Sequence, residues 1–352
     1  SAASDVYKRQ YHKNGEIMKR LSIKKLENYL EKVTKAKVMD SIMIWGAPGI
    51  GKSSVVSSVA EKNKLEFIDL RLSQLAPTDI RGLPEPRDGI SYWCPPEFLP
   101  TTGSGILFFD EVNMAPPAIQ GIAQQLILDR AVGSYKVPDG WFIWAAGNRK
   151  EDHAAVFDMP APLSNRFFHL EITSGLDEFK SYAIKNEIDD RIISFLNFRP
   201  NLLHKIDRNS PSWPSPRQWV KSHNLLQANL DIDPAVGCAA AAEFRSFCKI
   251  YKTLPDIQKI LDGDLKPDFP EELSAKYALS CALALRSKTN KQMTNALKFL
   301  AQKGTAEWLN QCAIDIYSIL KEKKRSHELV KVLQSQKELL EASKQISKLL
   351  VA

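Results

Sequence analysis

The stretch that decides the fold reads Gly46-Ala47-Pro48-Gly49-Ile50-Gly51-Lys52-Ser53. It fits the pattern G-x-x-x-x-G-K-S/T at every fixed position. A short apolar run over residues 42–45 precedes it, and residues 53–62 have the composition of a helix. In a strand, glycine-rich turn and helix, backbone N–H groups and the helix N-terminus cradle phosphate oxygens. A chance glycine turn is the alternative for the motif taken alone.

The phosphate loop assigns expected roles to its last residues. Lys52 is expected to reach the β- and γ-phosphates of a nucleotide, and the Ser53 hydroxyl to ligate Mg²⁺. The predicted nucleotide-binding segment covers residues 46–54 and ends at Ser54.

A second stretch supplies two acids at the end of an apolar run. It reads Ile106-Leu107-Phe108-Phe109-Asp110-Glu111. Asp110 is expected to hold Mg²⁺ from the other side, as acids in this position do in P-loop NTPases. Glu111 is placed to polarise an attacking water. In isolation the pair would indicate a solvated strand end, but after a complete phosphate loop it predicts a nucleotide site.

The bulk composition is that of a soluble globular protein. The chain has 352 residues, 44% hydrophobic and 25% charged, which fits about two domains. No apolar run reaches the roughly 18 residues that a membrane span requires. Five scattered cysteines without C-x-x-C spacing indicate free thiols in a reducing compartment, so we expect a cytoplasmic protein.

The net charge of +7 is concentrated near the C-terminus. Residues 321–352 carry eight Lys or Arg and four Asp or Glu, a net charge of +4. A basic terminal helix is more typical of a solvated surface than of a DNA site. Nucleic acid is therefore not the expected partner.

Apolar strands alternate with helices over the first half of the chain. We predict a helix over 21–37, strands at 42–45, 66–72, 106–110, 141–146 and 167–172, and a helix over 117–128. This alternation predicts an α/β fold with a five-stranded parallel sheet covered on both faces.

Two segments interrupt the alternation of strands and helices, and the second half of the chain is predicted to be helical. Residues 77–100, rich in Pro and Gly, are predicted to form a long irregular insertion, and residues 130–140 a small hairpin. Helices are predicted at 188–198, 216–230, 236–250 and 327–351.

These patterns predict a domain organisation. Residues 1–17 have no periodicity and are expected to be a non-native or disordered tail, with Met18 as the true start. We expect an α/β nucleotide-binding core over 18–173, an all-α lid over 174–265 and a C-terminal helical extension over 266–352.

Three further polar residues stand where a phosphoryl-transfer site needs them. Asn148 follows the strand at 141–146, where its amide could orient a water near the γ-phosphate. Arg166 precedes the strand at 167–172, and Arg217 follows Pro216 at a predicted helix start. Taken singly, Asn148 could be a turn residue and the arginines surface or ion-pair residues.

The order of these motifs resembles that of an AAA+ ATPase. The residues within the motifs resemble those of the MoxR family more closely still. The stretches that carry the resemblance are Asp69-Leu70-Arg71-Leu72, Asp79-Ile80-Arg81-Gly82-Leu83-Pro84, Asp110-Glu111-Val112-Asn113 and Leu163-Ser164-Asn165-Arg166-Phe167. The likeness covers about residues 20–225.

The resemblance implies a ring, usually a hexamer, with ATP and Mg²⁺ bound between neighbouring subunits. Asn148 then matches the sensor-1 position, Arg166 the arginine finger acting on the neighbour's nucleotide, and Arg217 the sensor-2 position. Residues 76–100 match the insert that this clade places in its second helix. Arg149 stands where relatives commonly carry proline, and it is the alternative for the trans-acting arginine.

The resemblance also implies a function. We expect ATP hydrolysis that drives chaperone-like remodelling of a protein partner; family members often work with a von Willebrand factor A-domain protein. A nucleic-acid motor or loader on the same fold is the alternative, motivated by the basic C-terminal region and by Tyr92 and Trp93. A nucleotide-gated scaffold without hydrolysis is disfavoured because Glu111 is present.

Overall fold

The computed structural model describes residues 20–149, 157–207, 209–322, 324–334 and 339. The expected tail over 1–17, and the predicted last helix beyond Gln334 except for Leu339, lie outside the described residues. The chain divides into two compact units between Ser174 and Gly175.

The first unit alternates strands and helices. Its elements are β1 (Arg20–Leu21), α1 (Ile23–Lys35), β2 (Ser41–Trp45), α2 (Lys52–Lys62), β3 (Glu66–Arg71), a 3₁₀ turn (Leu72–Gln74), α3 (Pro77–Arg81), β4 (Leu83–Arg87), β5 (Ile90–Cys94), β6 (Gly105–Asp110), a 3₁₀ turn (Val112–Met114), α4 (Pro117–Asp129), β7 (Ala131–Val132), β8 (Tyr135–Lys136), β9 (Trp141–Gly147), α5 (Ala161–Ser164) and β10 (Phe167–Ile172).

The large sheet is parallel throughout, with strand order β1-β10-β2-β9-β6-β3. The predicted α/β class is confirmed, but the sheet has six strands rather than five. The additional strand is β1, in which Arg20 pairs with Glu171 and Leu21 with Ile172. Two residues are too short to show a strand period, so this edge strand has no signal in the sequence.

The sheet is apolar on both faces because helices cover it on both sides. Strand β9 is buried along its whole length, as a central parallel strand must be. Apolar residues of α1 and α2 pack on one face with Ile42, Ile44 and Phe108. Residues of α4 pack on the other face with Met43, Leu107 and Phe109.

The segment after β3 is ordered rather than irregular. Helix α3 is followed by the antiparallel hairpin of β4 and β5. The prolines of β4, Pro84 and Pro86, hide the strand from sequence analysis, because proline demotes a strand prediction. The predicted hairpin over 130–140 is confirmed as β7 and β8. The Ser134 hydroxyl of this second hairpin donates to the Trp93 carbonyl of the first at 2.6 Å.

The second unit is helical. Its elements are α6 (Leu176–Lys185), α7 (Asp190–Phe198), a 3₁₀ turn (Pro200–Leu202), α8 (Pro216–Gln227), α9 (Asp233–Val236), α10 (Cys238–Lys252), α11 (Ile257–Asp262), α12 (Leu273–Arg286), α13 (Asn290–Lys303), α14 (Ala306–Glu322) and α15 (His327–Gln334). In the described part of the chain, no helix is both long and apolar enough to cross a membrane.

Buried contacts tie the helices of the second unit together. Lys180 on α6 forms an ion pair with Asp315 on α14 at 2.5 Å, and both side chains are almost fully buried. Ala278 and Cys281 of α12 pack with the apolar residues of α7, α8 and α10. Packing therefore continues across residue 265, and the boundary between a lid and an extension stays a prediction.

Candidate functional site

The phosphate loop joins β2 to α2 through two glycines that no other residue can easily replace. A Cβ on Gly46 would lie 2.5 Å from the Ile50 side chain and 3.0 Å from the Ile172 carbonyl oxygen. Gly51 has a φ of 98°, a left-handed conformation that L side chains rarely adopt, and α2 begins at the next residue. The close turn and the exposed helix start are thus built into the sequence.

Lys52 lies at the first position of α2, with only 8% of the residue exposed. Its ammonium group donates to the carbonyl oxygens of Gly46 at 2.8 Å and Ala47 at 3.1 Å. It also donates to the Asn148 side-chain oxygen at 2.8 Å. The lysine of the loop and the polar residue after β9 are therefore in direct contact.

Two oxygen ligands suited to a divalent cation meet beside the loop. The Ser53 hydroxyl donates to the Asp110 carboxylate at 2.6 Å. The other oxygen of that carboxylate accepts from the Glu111 backbone N–H at 2.9 Å, which fixes its orientation. Hydroxyl and carboxylate oxygens are hard donors of the kind that Mg²⁺ binds. The sequence assigned both residues to one Mg²⁺ ion, and the structure brings their side chains together.

Glu111 is held in a defined position at the end of β6. Its φ of 58° is left-handed, an uncommon conformation for a residue other than glycine. Its carboxylate accepts a hydrogen bond from the hydroxyl of Ser73. Sequence reasoning missed Ser73, which lies in the 3₁₀ turn after β3; a hydroxyl following a strand that neighbours β6 was the only available signal.

Asn148 is fixed by a second asparagine that the sequence prediction gave no role. The Asn113 side chain donates to the Asn148 carbonyl at 2.6 Å and accepts from the Asn148 N–H at 3.1 Å. Both residues are buried. A Cβ on Gly147 would lie 2.6 Å from the Asn113 side-chain oxygen, so the glycine permits this close approach. Asn113 stands three residues after Asp110, but its partner is not readable from the chain.

A third acid adds negative charge at this edge of the sheet. The pKa of Asp69, on β3, is raised first by partial burial of its carboxyl and then by the charge of Asp110. Glu111 raises it further, while Arg71 lowers it. Three carboxyl groups in this neighbourhood produce a field that favours a cation.

The sequence predicts roles for three arginines, of which Arg149 and Arg166 belong to the first unit and Arg217 to the second. Arg149 forms an ion pair with the buried Glu171 of the same chain at 2.5 Å, and Arg20 reaches the same carboxylate at 3.3 Å. Arg166 is exposed just before β10, and no ion pair of its guanidinium is found among the described residues. Arg217 is exposed in the first turn of α8, in the second unit. Ser54 is exposed on α2.

Three comparisons with known proteins were informative to different degrees, and only the comparison with protein families identifies a domain. A search of the curated proteins finds no match. Similar solved structures include NtrX from Brucella abortus in complex with ADP, with 16% identity over 92% of this chain and 72% of that chain and a TM-score of 0.42. A mutant of RuvB from Thermotoga maritima has 17% identity over 79% of this chain and 85% of that chain, with a TM-score of 0.40. Residues 41–167 match the family described as the AAA domain, dynein-related subfamily.

Proposed function

We propose that this protein is a Mg²⁺-dependent ATPase of MoxR type that assembles into a ring. The observation that carries the proposal is the convergence of Lys52, Ser53, Asp110, Glu111 and Asn148 at one edge of the sheet. The match of residues 41–167 to an AAA domain supports it independently.

Binding of the nucleotide begins with a change of partners at Lys52. All three N–H groups of an ammonium can donate, and here they point to two loop carbonyls and to Asn148. Phosphate oxygens carry far more negative charge than carbonyl oxygens, so the lysine would exchange these contacts for the β- and γ-phosphates. The backbone N–H groups of residues 46–54 and the start of α2 would hold the remaining phosphate oxygens.

Ser53 and Asp110 would hold the Mg²⁺ ion, whose chemistry is to neutralise the charge of the β- and γ-phosphates. The fit rests on their oxygens, which lie 2.6 Å apart and present no soft ligand. Asp110 cannot rotate freely, because the Glu111 N–H holds its second oxygen. The chain thus supplies two ligands in a fixed orientation.

Hydrolysis would require a water activated by Glu111 and oriented by Asn148. As the water oxygen bonds to the γ-phosphorus, the bond from that phosphorus to the β–γ bridging oxygen breaks. The Glu111 carboxylate takes a water proton, which later passes to solvent, and ADP and phosphate leave. Once Lys52 turns to the phosphates, the Asn148 side-chain oxygen is released to accept from the same water.

The charge that develops during transfer would be stabilised by an arginine of a neighbouring subunit. Arg166 fits this role because it is exposed and has no ion pair among the described residues. Arg149 fits it less well, because Glu171 of its own subunit already holds its guanidinium. Arg217 is proposed to contact the nucleotide of its own subunit, by resemblance alone. Where measured, such a finger is worth about 10³–10⁵ in rate.

We further propose that the ring remodels or activates a protein partner in the cytoplasm, and that a von Willebrand factor A-domain protein is a candidate for that partner. This part rests on the MoxR resemblance of the motifs. Capturing what stays bound to a Glu111→Gln ring in the presence of ATP would identify the partner. An empty capture, with the ring loaded and intact, would contradict a chaperone-like role.

Replacement of Glu111 by Gln tests the catalytic assignment. The variant keeps the size of the side chain and loses the proton acceptor, so we expect ATP affinity within about twofold of the parent and a turnover lower by about 100-fold or more. Phosphate release and binding of a fluorescent ATP analogue are measured separately. Glu61→Gln, on the exposed end of α2, is the matched control and should behave like the parent. Equal hydrolysis by both variants would reject the assignment.

A nucleic-acid motor on the same fold remains the alternative, and the structure gives it little support. Trp93 packs against Gly133 and lies under the Arg81 guanidinium, 5.7 Å from its ring centre, so it is already engaged. Only Tyr92 of the pair is well exposed, at 46%. Salt-dependent DNA affinity and a DNA-stimulated hydrolysis rate would favour the alternative. The absence of both at low salt would reject it.

A further inference from the structure

An imidazole joins the phosphate loop to the segment that carries Arg166. His169 lies on β10, and its ring lies nearly parallel to the indole of Trp45, with centroids 6.0 Å apart and planes 12° apart. Trp45 is the last residue of β2, directly before Gly46. The His169 ring therefore packs against the residue from which the phosphate loop starts.

Both ring nitrogens of His169 have hydrogen-bond partners, and these partners decide its tautomer. The Trp45 indole N–H can only donate, and it lies 2.8 Å from Nδ1 of His169. Nδ1 must therefore be the acceptor and carry no proton. Nε2, which then carries the proton of the neutral ring, lies 2.7 Å from the Ser164 carbonyl oxygen and donates to it. The ring is therefore a bridge that links two hydrogen bonds donated in the same direction, from Trp45 to His169 and from His169 to Ser164.

The acceptor at the far end of this bridge is next to Arg166. Ser164 is the last residue of α5, and its carbonyl is one of those that a helix end leaves without an intrahelical partner. Only Asn165 separates it from Arg166, whose own N–H donates to the Leu163 carbonyl at 3.1 Å. Two hydrogen bonds thus hold the turn that carries the arginine. One joins the Arg166 N–H to the Leu163 carbonyl, and the other joins the imidazole to the Ser164 carbonyl.

We infer that His169 is a positioning residue, which sets the Arg166 segment relative to the phosphate loop of the same subunit. Because Arg166 would act on a neighbour's nucleotide, the bridge connects a subunit's own loop with the arginine it offers to the next site. A change at Trp45 would reach Ser164 through two hydrogen bonds and one rigid ring. The inference rests on the proposed function, since it requires a trans-acting Arg166.

Three variants separate the two hydrogen bonds from the shape of the ring. His169→Phe keeps an aromatic ring and loses both bonds. In His169→Gln the side-chain amide reaches about as far as Nε2, so it can still donate to the Ser164 carbonyl. His223→Phe, which removes a half-buried histidine from the second unit, is the matched control. Each is assayed as the full chain with ATP and Mg²⁺.

The expected result is a loss of turnover without a loss of nucleotide binding. Two missing hydrogen bonds of ordinary strength correspond to a kcat about 5- to 160-fold lower in His169→Phe. The KM for ATP should stay within about twofold, His169→Gln should recover most of kcat, and His223→Phe should match the parent. A raised KM with an unchanged kcat, or a Gln variant as slow as the Phe variant, would overturn the inference.

Mixed assemblies show whether the defect acts on the neighbouring site. Glu111→Gln subunits should hydrolyse ATP about 100-fold more slowly than the parent, or more slowly still, but they still offer an intact Arg166. When they are mixed with His169→Phe subunits, the rate per His169→Phe subunit should rise above its rate alone. A subunit that is merely damaged, or impaired at its own loop, would show no rise, and that result would overturn the inference.

The same mixing with Arg166→Ala subunits tells failure of this inference from failure of the proposed function. Recovery of Arg166→Ala but not of His169→Phe would reject the role of His169 alone. No recovery of Arg166→Ala, or no ATP hydrolysis by the parent, would reject the trans-acting arginine and the role of His169 with it.

Discussion

Gly46 shows how one residue can decide whether the phosphate loop closes. A Cβ on this glycine would enter space that two neighbours already occupy. It would lie 2.5 Å from the Ile50 side chain and 3.0 Å from the Ile172 carbonyl oxygen. One of these neighbours is a flexible side chain that can move, whereas the other is backbone of the central sheet. A methyl group here must therefore displace the loop rather than the strand.

We expect Gly46→Ala to weaken nucleotide binding by about tenfold or more, because the loop amides would no longer converge on one phosphate. Binding of a fluorescent ATP analogue measures the effect. Gly121→Ala on α4 is the control, since a Cβ there meets nothing within 4 Å. It should bind as the parent does and gain about 0.5–1 kcal/mol in the free energy of unfolding. Unchanged binding by Gly46→Ala would contradict the argument.

The carboxyl group of Asp69 should make the stability of the protein depend on pH. Its pKa is raised in the folded protein above the ordinary value of 3.8, by burial and by Asp110 and Glu111. Below pH 3.8 the carboxyl is protonated whether the chain is folded or not. As the pH rises through the raised pKa, the folded state binds more protons than the unfolded state, so this group's contribution to stability is lost.

Asp69→Asn should therefore melt at a higher temperature than the parent at pH 7, and the difference should shrink as the pH falls toward 4. Thermal unfolding followed across this range without added nucleotide or Mg²⁺ measures it. Asp40→Asn, an exposed site away from the acids, supplies the control and should show no such trend. A difference independent of pH would mean that neither the burial of the charged carboxyl nor repulsion among the carboxylates is its cause.

At the scale of elements, the sequence predicts what depends on local pattern. Strands β2, β6 and β9 are continuous apolar runs, and their positions agree with the predicted ones within one or two residues. Helix α4 has proline in its first turn, and α8 has Pro216, as predicted. These signals lie within one element, so no knowledge of the tertiary structure is needed.

The elements that were missed lack such a signal. Strand β1 is too short for a period, and β4 contains two prolines that argue against a strand. Helix α8 ends at Gln227 rather than at the predicted 230, because Asn229 adopts a left-handed φ of 55° that stops it. Asparagine is a common residue at this position of a helix end, so the sequence does carry a signal for this ending.

The same distinction holds for the candidate site. Lys52 and Ser53 are adjacent in a motif, and the meeting of Ser53 with Asp110 follows from parallel strands that end at one edge. Ser73 and His169 stand in no motif, and Asn113 stands in a motif that does not reveal its partner. Each makes its contact with a residue 5 to 124 positions away, which only the folded sheet brings near.

At the scale of the whole molecule, the proposed site divides its work between copies of the chain. The contacts around Lys52 and Asp110 are made within one subunit, whereas the exposed Arg166 has no ion pair among the residues described. A subunit that completes its neighbour's site cannot be fully active alone. Activity should then depend on assembly, which depends on concentration.

We therefore expect the turnover per subunit to rise with protein concentration and to level off where light scattering shows a complete assembly. Arg166→Ala should assemble at the same concentrations and remain slow throughout, because it keeps the contacts of Lys52 and loses the trans-acting charge.

Arg149→Lys is the discriminating variant, since it keeps a cation for Glu171 but not the planar guanidinium. If Arg149→Lys lost turnover while Arg166→Ala kept it, the trans-acting arginine would be Arg149. If turnover per subunit were the same at all concentrations, including those at which the protein is monomeric, the site would be complete within one chain.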